Sequence, residues 1–181
     1  MTLRDYIGRD TPDLDIYRFE ELRSTNDTVR DYVQRGRYSV VIAERQSGGR
    51  GQRGRSFSSE PGGLYYSLGF YPEFPLERCP SLTALGALAA RNAIGCLTSV
   101  YPDIKYPNDL LINGKKIAGV LTEAVHRGND FFIVLGIGIN VFNPLPPELD
   151  SAGTLNQLTG ADVDIEMLAG ALTRELLDIL A

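Results

Sequence analysis

Gln46-Ser47-Gly48-Gly49-Arg50-Gly51-Gln52-Arg53-Gly54-Arg55 interleaves glycine with arginine, and no acidic residue occurs between Arg45 and Ser59. Glycine lets a backbone approach a ligand closely and adopt positive φ, while arginine supplies a planar, permanently charged fork of donors suited to phosphate or carboxylate. The stretch reads as a loop built to close on an anion; a solvated basic loop or an RNA-binding Gly-Arg segment has the same composition. Its flanks decide what kind of fold carries it. On the near side, Tyr38-Ser39-Val40-Val41-Ile42-Ala43-Glu44 is β-branched and apolar enough for a buried strand. On the far side, Pro61-Gly62-Gly63 leads into Leu64-Tyr65-Tyr66-Ser67-Leu68-Gly69-Phe70, a second strand. A lid anchored on two strands suits a segment that orders over its substrate.

Upstream, Ile16 to Leu22 reads as a strand that follows a short leader ending near Pro12 and runs into Ser24-Thr25-Asn26. Those are helix N-cap types, and Val29, Tyr32 and Val33 follow at helical spacing until Gly36. The cluster caps the helix on the plainer reading; on the functional one its hydroxyls and amide also hold a polar ligand. Downstream, Pro80 and Ser81 open a helix with Leu82, Leu85, Ala89, Ala93 and Cys96 on one face. Asn113-Gly114 then predicts a tight hairpin, because both central residues of such a turn need φ > 0. That hairpin would bring Lys115 and Lys116 beside the end of Lys105-Tyr106-Pro107-Asn108-Asp109. Asn108, Asp109 and Lys116 in one neighbourhood could hold magnesium, a nucleotide and an acid group, or could decorate a surface hairpin.

A strand from Ile117 to Val125 is expected to turn through His126 to Asp130 into a strand over Phe131 to Val141. Gly136 and Gly138 alternate within it, clearing one face for a ligand or marking bulges. Asp164 is expected to cap a final helix with Leu168, Leu172, Leu176 and Ile179 on its buried side.

Composition narrows the class. The 181 residues, 43% apolar and 23% charged, fit one ordinary globular domain. A net charge of -5 argues against a general nucleic-acid binder. Cys79 and Cys96 lack metal-ligand spacing and read as reduced packing residues, and His126 is the single histidine, which disfavours Ser-His or Cys-His nucleophilic chemistry. The N-terminus lacks the apolar run of a signal peptide and no stretch is long enough for a bilayer, so a cytoplasmic protein is expected.

Gln46 to Arg55, then Lys105 to Asp109, then Lys116-Ile117-Ala118-Gly119, then Gly136-Ile137-Gly138-Ile139-Asn140, in this order, resemble the catalytic domain of biotin protein ligases, or biotin-[acetyl-CoA-carboxylase] ligases. The resemblance runs from about Ser24 to Asn140. It implies an α+β fold: a mixed, mostly antiparallel sheet flanked by helices, akin to class II aminoacyl-tRNA synthetases. It implies a reaction in which biotin and ATP, with Mg2+, give biotinyl-5′-AMP, which then acylates one lysine of a biotin carboxyl carrier domain. The family's N-terminal helix-turn-helix and small C-terminal β-barrel have no counterpart in residues 1 to 181, so a DNA-binding role is not expected. A homodimer is possible on this reading. A lipoate ligase, which shares fold and adenylation logic, and a non-catalytic biotin-binding module are the rivals.

Roles carry over by position. Ser24, Thr25, Asn26, Gln46, Gly49, Arg50, Gly51, Gln52, Lys116, Gly136 and Gly138 match positions around biotin. Arg53, Arg55, Phe57, Asn108, Asp109, Lys116, Ile139 and Asn140 match those around ATP, with Asp109 reaching magnesium through the nucleotide. Lys116, Arg50 and Gln52 match the catalytic positions. Gln52 stands where arginine is usual, which implies looser retention of the adenylate unless Arg53 or Arg55 substitutes. Phe57 and Tyr106 stand where tryptophan is usual.

Overall fold

In the computed structural model, residues 13–181 are described; the leader expected up to Pro12 lies outside them. Seven strands form one sheet: β1 (Leu14–Leu22), β2 (Tyr38–Gln46), β3 (Gly63–Phe70), β4 (Asp103–Lys105), β5 (Asp109–Ile112), β6 (Lys115–Arg127) and β7 (Asp130–Asn140). Their spatial order is β1-β2-β3-β7-β6-β5-β4, with β1 parallel to β2 and every other neighbouring pair antiparallel. The mixed, mostly antiparallel sheet that the resemblance implies is therefore present.

Successive side chains of a strand point to opposite faces, so each central strand splits between two layers. Val40 and Ile42 of β2, Leu64, Tyr66 and Leu68 of β3, and Ile133, Leu135, Ile137 and Ile139 of β7 face the large core. That face is covered by helices α2 (Cys79–Thr98) and α4 (Ile165–Leu180). Asp164 caps α4, its Oδ1 accepting from the amides of Glu166 and Met167 at 2.7 and 3.1 Å. Leu168, Leu172 and Leu176 are buried, each a position where truncation to alanine costs about 2–5 kcal/mol. The opposite face carries only a small cluster of Val29, Val33, Val41, Phe132 and Val134 under the short α1 (Thr25–Val29). Beyond that cluster lie Tyr65, Ser67, Gly136, Gly138, Gly119 and Glu123, in register across β3, β7 and β6 through the pairs Ser67↔Gly136, Tyr65↔Gly138 and Gly119↔Gly138. A thinly covered sheet face with glycine at its centre leaves room for a ligand.

Several expectations change. The helix expected to run from Ser24 to Gly36 stops at Val29, because the carbonyls beyond it find partners outside a helix: Arg127 donates to the oxygens of Arg30 at 2.7 Å and Val33 at 3.2 Å. Gly36, at φ 72°, turns the chain toward β2. His126 lies within β6 opposite Phe131, since the turn contracts to Gly128-Asn129. Cys79 is buried, but Cys96 is exposed rather than packed; in the last turn of α2 the close contact is made by Gly95, where a Cβ would lie 2.1 Å from the Tyr101 ring. A short helix, α3 (Leu155–Thr159), was not anticipated.

Candidate active site

Gln46 is the last residue of β2, so the strand carries its amide to a fixed point at the mouth of the loop. There its Oε1 accepts from the Thr25 amide at 2.8 Å and from the Thr25 hydroxyl at 3.1 Å. Its Nε2 donates to Ser59 Oγ at 2.9 Å, and Ser59 Oγ donates to the Phe57 carbonyl at 3.0 Å. One side chain thus joins α1 to the far end of the Gly-Arg loop. Ser24 occupies the N-cap position of α1 but makes no capping bond with its side chain. The Ser24-Thr25-Asn26 cluster instead faces a cavity, against the plainer reading that it only caps.

The loop is a tight hairpin. Arg50 bridges Ser56, the Gly51 amide donates to the Arg55 carbonyl at 2.7 Å, and the Phe57 amide donates to the Gly49 carbonyl at 2.9 Å. Glycine is required at position 49, where a Cβ would lie 2.6 Å from both the Phe57 carbonyl and Ser59 Oγ. Arg53, at φ 58°, and Arg55 are exposed. Arg50 points inward: its Nη2 donates to Asp27 Oδ1 at 2.7 Å and lies 3.4 Å from Glu123 Oε2.

The Asn113-Gly114 hairpin forms as expected, with φ of 51° and 74°, and it returns Lys116 to the cavity. Lys116 Nζ lies 2.7 Å from Asp109 Oδ1, and Asn108 Nδ2 donates to that same oxygen at 2.9 Å. The backbone of Lys116 is held from behind by the segment Ser151 to Gly153: its amide donates to the Ser151 carbonyl at 2.8 Å and its carbonyl accepts from Gly153 at 3.0 Å. No three His, Cys, Asp or Glu side chains gather to form a metal cage among the described residues.

These parts line a cleft that opens to solvent. Its walls bring together Ser24, Thr25, Asn26, Gln46, Arg50, Gly51, Gln52, Phe57, Asn108, Lys116, Gly136 and Gly138. Of the other residues singled out in the sequence, Asp109 adjoins it through Lys116, whereas Gly49, Arg53, Arg55, Ile139 and Asn140 are not part of its wall. Asn140 is buried, its Nδ2 donating to the Gly153 carbonyl and its Oδ1 accepting from Asn143, each at 3.3 Å. Register runs unbroken through Gly136 and Gly138, so neither marks a bulge. A Cβ at 136 would lie 2.0 Å from Asn26 Oδ1 and one at 138 would lie 2.7 Å from the Phe57 ring, so the cleared floor receives those two side chains.

Asp27, Ser67, Tyr65 and Glu123 also support the site, although no local motif in the sequence marks them. Ser67, fully buried, donates to Asn26 Oδ1 at 2.6 Å or to Thr25 Oγ1 at 2.8 Å. Tyr65 donates to the Glu60 carbonyl at the end of the loop, and burial pushes its phenol well above the ordinary tyrosine range. Glu123 left one faint signal, as the single acidic residue of its strand.

The Biotin/lipoate A/B protein ligase family model matches residues 19–140. The chain is 40% identical over 132 residues to the bifunctional ligase/repressor BirA of Bacillus spizizenii, covering 70% of this chain and 41% of that protein. It is 35% identical over 143 residues to the biotin--[acetyl-CoA-carboxylase] ligase of Mycobacterium tuberculosis, covering 76% and 52%. This chain therefore spans about half or less of the length of these relatives. The structure of biotin protein ligase from Leishmania major in complex with biotinyl-5-AMP superposes with a TM-score of 0.77 at 29% identity, covering 92% of this chain and 74% of that one. With motifs in order, a sheet of the same architecture and a family match over two thirds of its length, the chain belongs to the Biotin/lipoate A/B protein ligase family.

Proposed function

We propose that the chain performs both steps of a biotin protein ligase. Biotin's carboxylate attacks the α-phosphorus of ATP, forming biotinyl-5′-AMP and releasing pyrophosphate. The ε-amine of one lysine on a biotin carboxyl carrier domain then attacks the acyl carbon, forming the amide and releasing AMP. The observation that carries this reading is that the Lys116 ammonium, the Arg50 flap and the glycine floor line one cavity.

The first step brings an anion onto a polyanion. Two unit charges about 4 Å apart at an effective dielectric near 20 repel by roughly 4 kcal/mol. Lys116 and Arg50 offset this, and they favour the transition state most because charge moves onto the leaving pyrophosphate. Asp109, already shared by Lys116 and Asn108, is the residue that would meet a magnesium ion. With no protein cage around it, such an ion would be held largely by phosphate and water, and it would neutralise phosphate charge. The flap hairpin, hinged on β2 and β3, excludes water from an anhydride that would otherwise hydrolyse. Ser24, Thr25, Asn26 and Gln46 hold the polar head of biotin; Arg50, Gly51 and Gln52 cover it. A cytoplasmic setting fits the reading, and among the described residues no helix is long and apolar enough to cross a membrane.

Pyrophosphate release from ATP tests the reading. It should depend on biotin, and transfer to a carrier domain should follow. Lys116→Ala should lower the adenylation rate about 10²–10³-fold, the usual loss for one preorganised donor. Release driven by lipoate and not by biotin, or near-full activity in Lys116→Ala, would overturn it.

A further inference from the structure

We infer that Glu123 is a positioning residue: by fixing which end of the Asn26 carboxamide faces the cavity, it sets the cavity's preference for a ligand head bearing N–H donors. The inference rests on the ligase reading for the identity of that head.

Asn26 is 5% exposed and bonded at both ends. Its Nδ2 donates to Glu123 Oε2 at 2.8 Å, and its Oδ1 lies 2.6 Å from Ser67 Oγ. A carboxamide can turn over, exchanging donor for acceptor with little change of shape. Ser67 does not choose between the two orientations, because a hydroxyl donates or accepts equally and Thr25 Oγ1 at 2.8 Å stands ready to take its proton. Glu123 does choose. A turned-over amide would set Asn26 oxygen against carboxylate oxygen at hydrogen-bond distance, a repulsive contact in a half-buried site. Glu123 is itself held in place, its Oε1 accepting from Arg30 Nη2 at 3.0 Å.

The chosen orientation leaves an amide oxygen at the cavity wall with one lone pair taken by Ser67 and one to spare. A ureido head offers N–H donors to such an acceptor, whereas a dithiolane offers none and would leave it unpaired. A site built to hydrogen-bond its ligand discriminates strongly against an analogue lacking the partner group. Gly136 belongs to the same device, since a Cβ there would occupy the space of Asn26 Oδ1. Arg50 Nη2 lies 3.4 Å from Glu123 Oε2 but makes its close contact with Asp27 Oδ1 at 2.7 Å, so the flap keeps its main anchor when Glu123 is changed.

The sharpest test exchanges the two groups. In Glu123→Gln, a glutamine that keeps its oxygen toward Arg30 presents its amide nitrogen to Asn26 and turns the carboxamide over. The biotin Kd, read by isothermal titration, should rise about ten- to hundredfold, while lipoate binding stays where it was. In Asn26→Asp/Glu123→Gln, the glutamine donates to a carboxylate that again offers acceptors to Ser67 and the cavity, so the Kd should return to within about threefold of the parent. Asn26→Asp alone sets two carboxylates together and should bind poorly. Orientation is also read without ligand: in Glu123→Gln the Asn26 side-chain amide protons should gain nuclear Overhauser contacts to the Ser67 β-protons. An unchanged Kd or unchanged contacts in Glu123→Gln would overturn the inference. So would a double variant that folds but does not recover. A parent chain that fails to bind biotin would instead overturn the ligase reading, leaving the orientation of Asn26 to be judged by the nuclear Overhauser contacts alone.

Discussion

Gln52 lines the cavity while Arg53 and Arg55, three residues or fewer away, are exposed and outside its wall. An uncharged amide therefore lines the cavity beside the inward-pointing Arg50, and neither Arg53 nor Arg55 turns in to add a second flap charge against the singly charged adenylate of the proposed reaction. Gln52→Arg should slow escape of biotinyl-5′-AMP about three- to tenfold, the scale of one partly exposed charge-assisted contact. Chromatography of free adenylate, with mass spectrometry of modified bystander lysines, measures this; equal leakage from both proteins would sink it. As positions on the cavity wall, Lys116, Gln46 and Arg50 were legible because each is placed locally, by a strand end, a two-residue turn or a glycine within a few positions. Glu123 was not, because its partner Asn26 lies 97 residues away and no spacing along the chain records that contact.

At the level of elements, the hairpin at Asn113-Gly114 was fully legible, since positive φ is a property of the two residues themselves. The early end of α1 was hidden, because the carbonyls that close it are satisfied by Arg127 from β6. The glycines of β7 lie between these cases: their alternation announced an open face, but not that Asn26 and Phe57 would occupy it. Gly138→Ala separates the strand's needs from those of the site. Alanine suits a strand at least as well as glycine, so stability should shift by less than about 1 kcal/mol. The Phe57 ring, 2.7 Å from the new Cβ, must withdraw and carry the end of the flap with it. Biotin affinity should fall about tenfold with the melting temperature nearly constant, an estimate on the scale of one displaced apolar contact. Calorimetry and titration on the same sample check both halves, and a matched loss of stability and binding would place the glycine in the fold rather than the site.

The molecule as a whole is organised by β3, whose neighbouring tyrosines look in opposite directions. Tyr66 faces the large core, where its hydroxyl meets Thr173 Oγ1 of α4 at 3.0 Å; Tyr65 faces the cavity and ties the end of the flap. Burial raises the pKa of both phenols above the ordinary value of 10.0, and Glu60 adds to the effect at Tyr65. A raised folded-state pKa means that the contribution of these tyrosines is fully present below the unfolded pKa of about 10 and is lost as pH rises beyond it. In that window the unfolded chain releases protons that the folded chain retains, at about 1.4 kcal/mol per pH unit for each tyrosine. Urea midpoints should therefore fall as pH rises past about 10, after a smaller decline that begins near 9 as the buried Cys79 thiol resists ionising, and the share of tyrosinate absorption due to Tyr65 and Tyr66 should appear only as the chain unfolds. Tyr66→Phe should cost about 1 kcal/mol at pH 8 through the lost Thr173 contact, and it should flatten the alkaline decline by one tyrosine's share. If parent and variant instead decline with the same slope above pH 10, the phenol of Tyr66 is not what couples this core to pH.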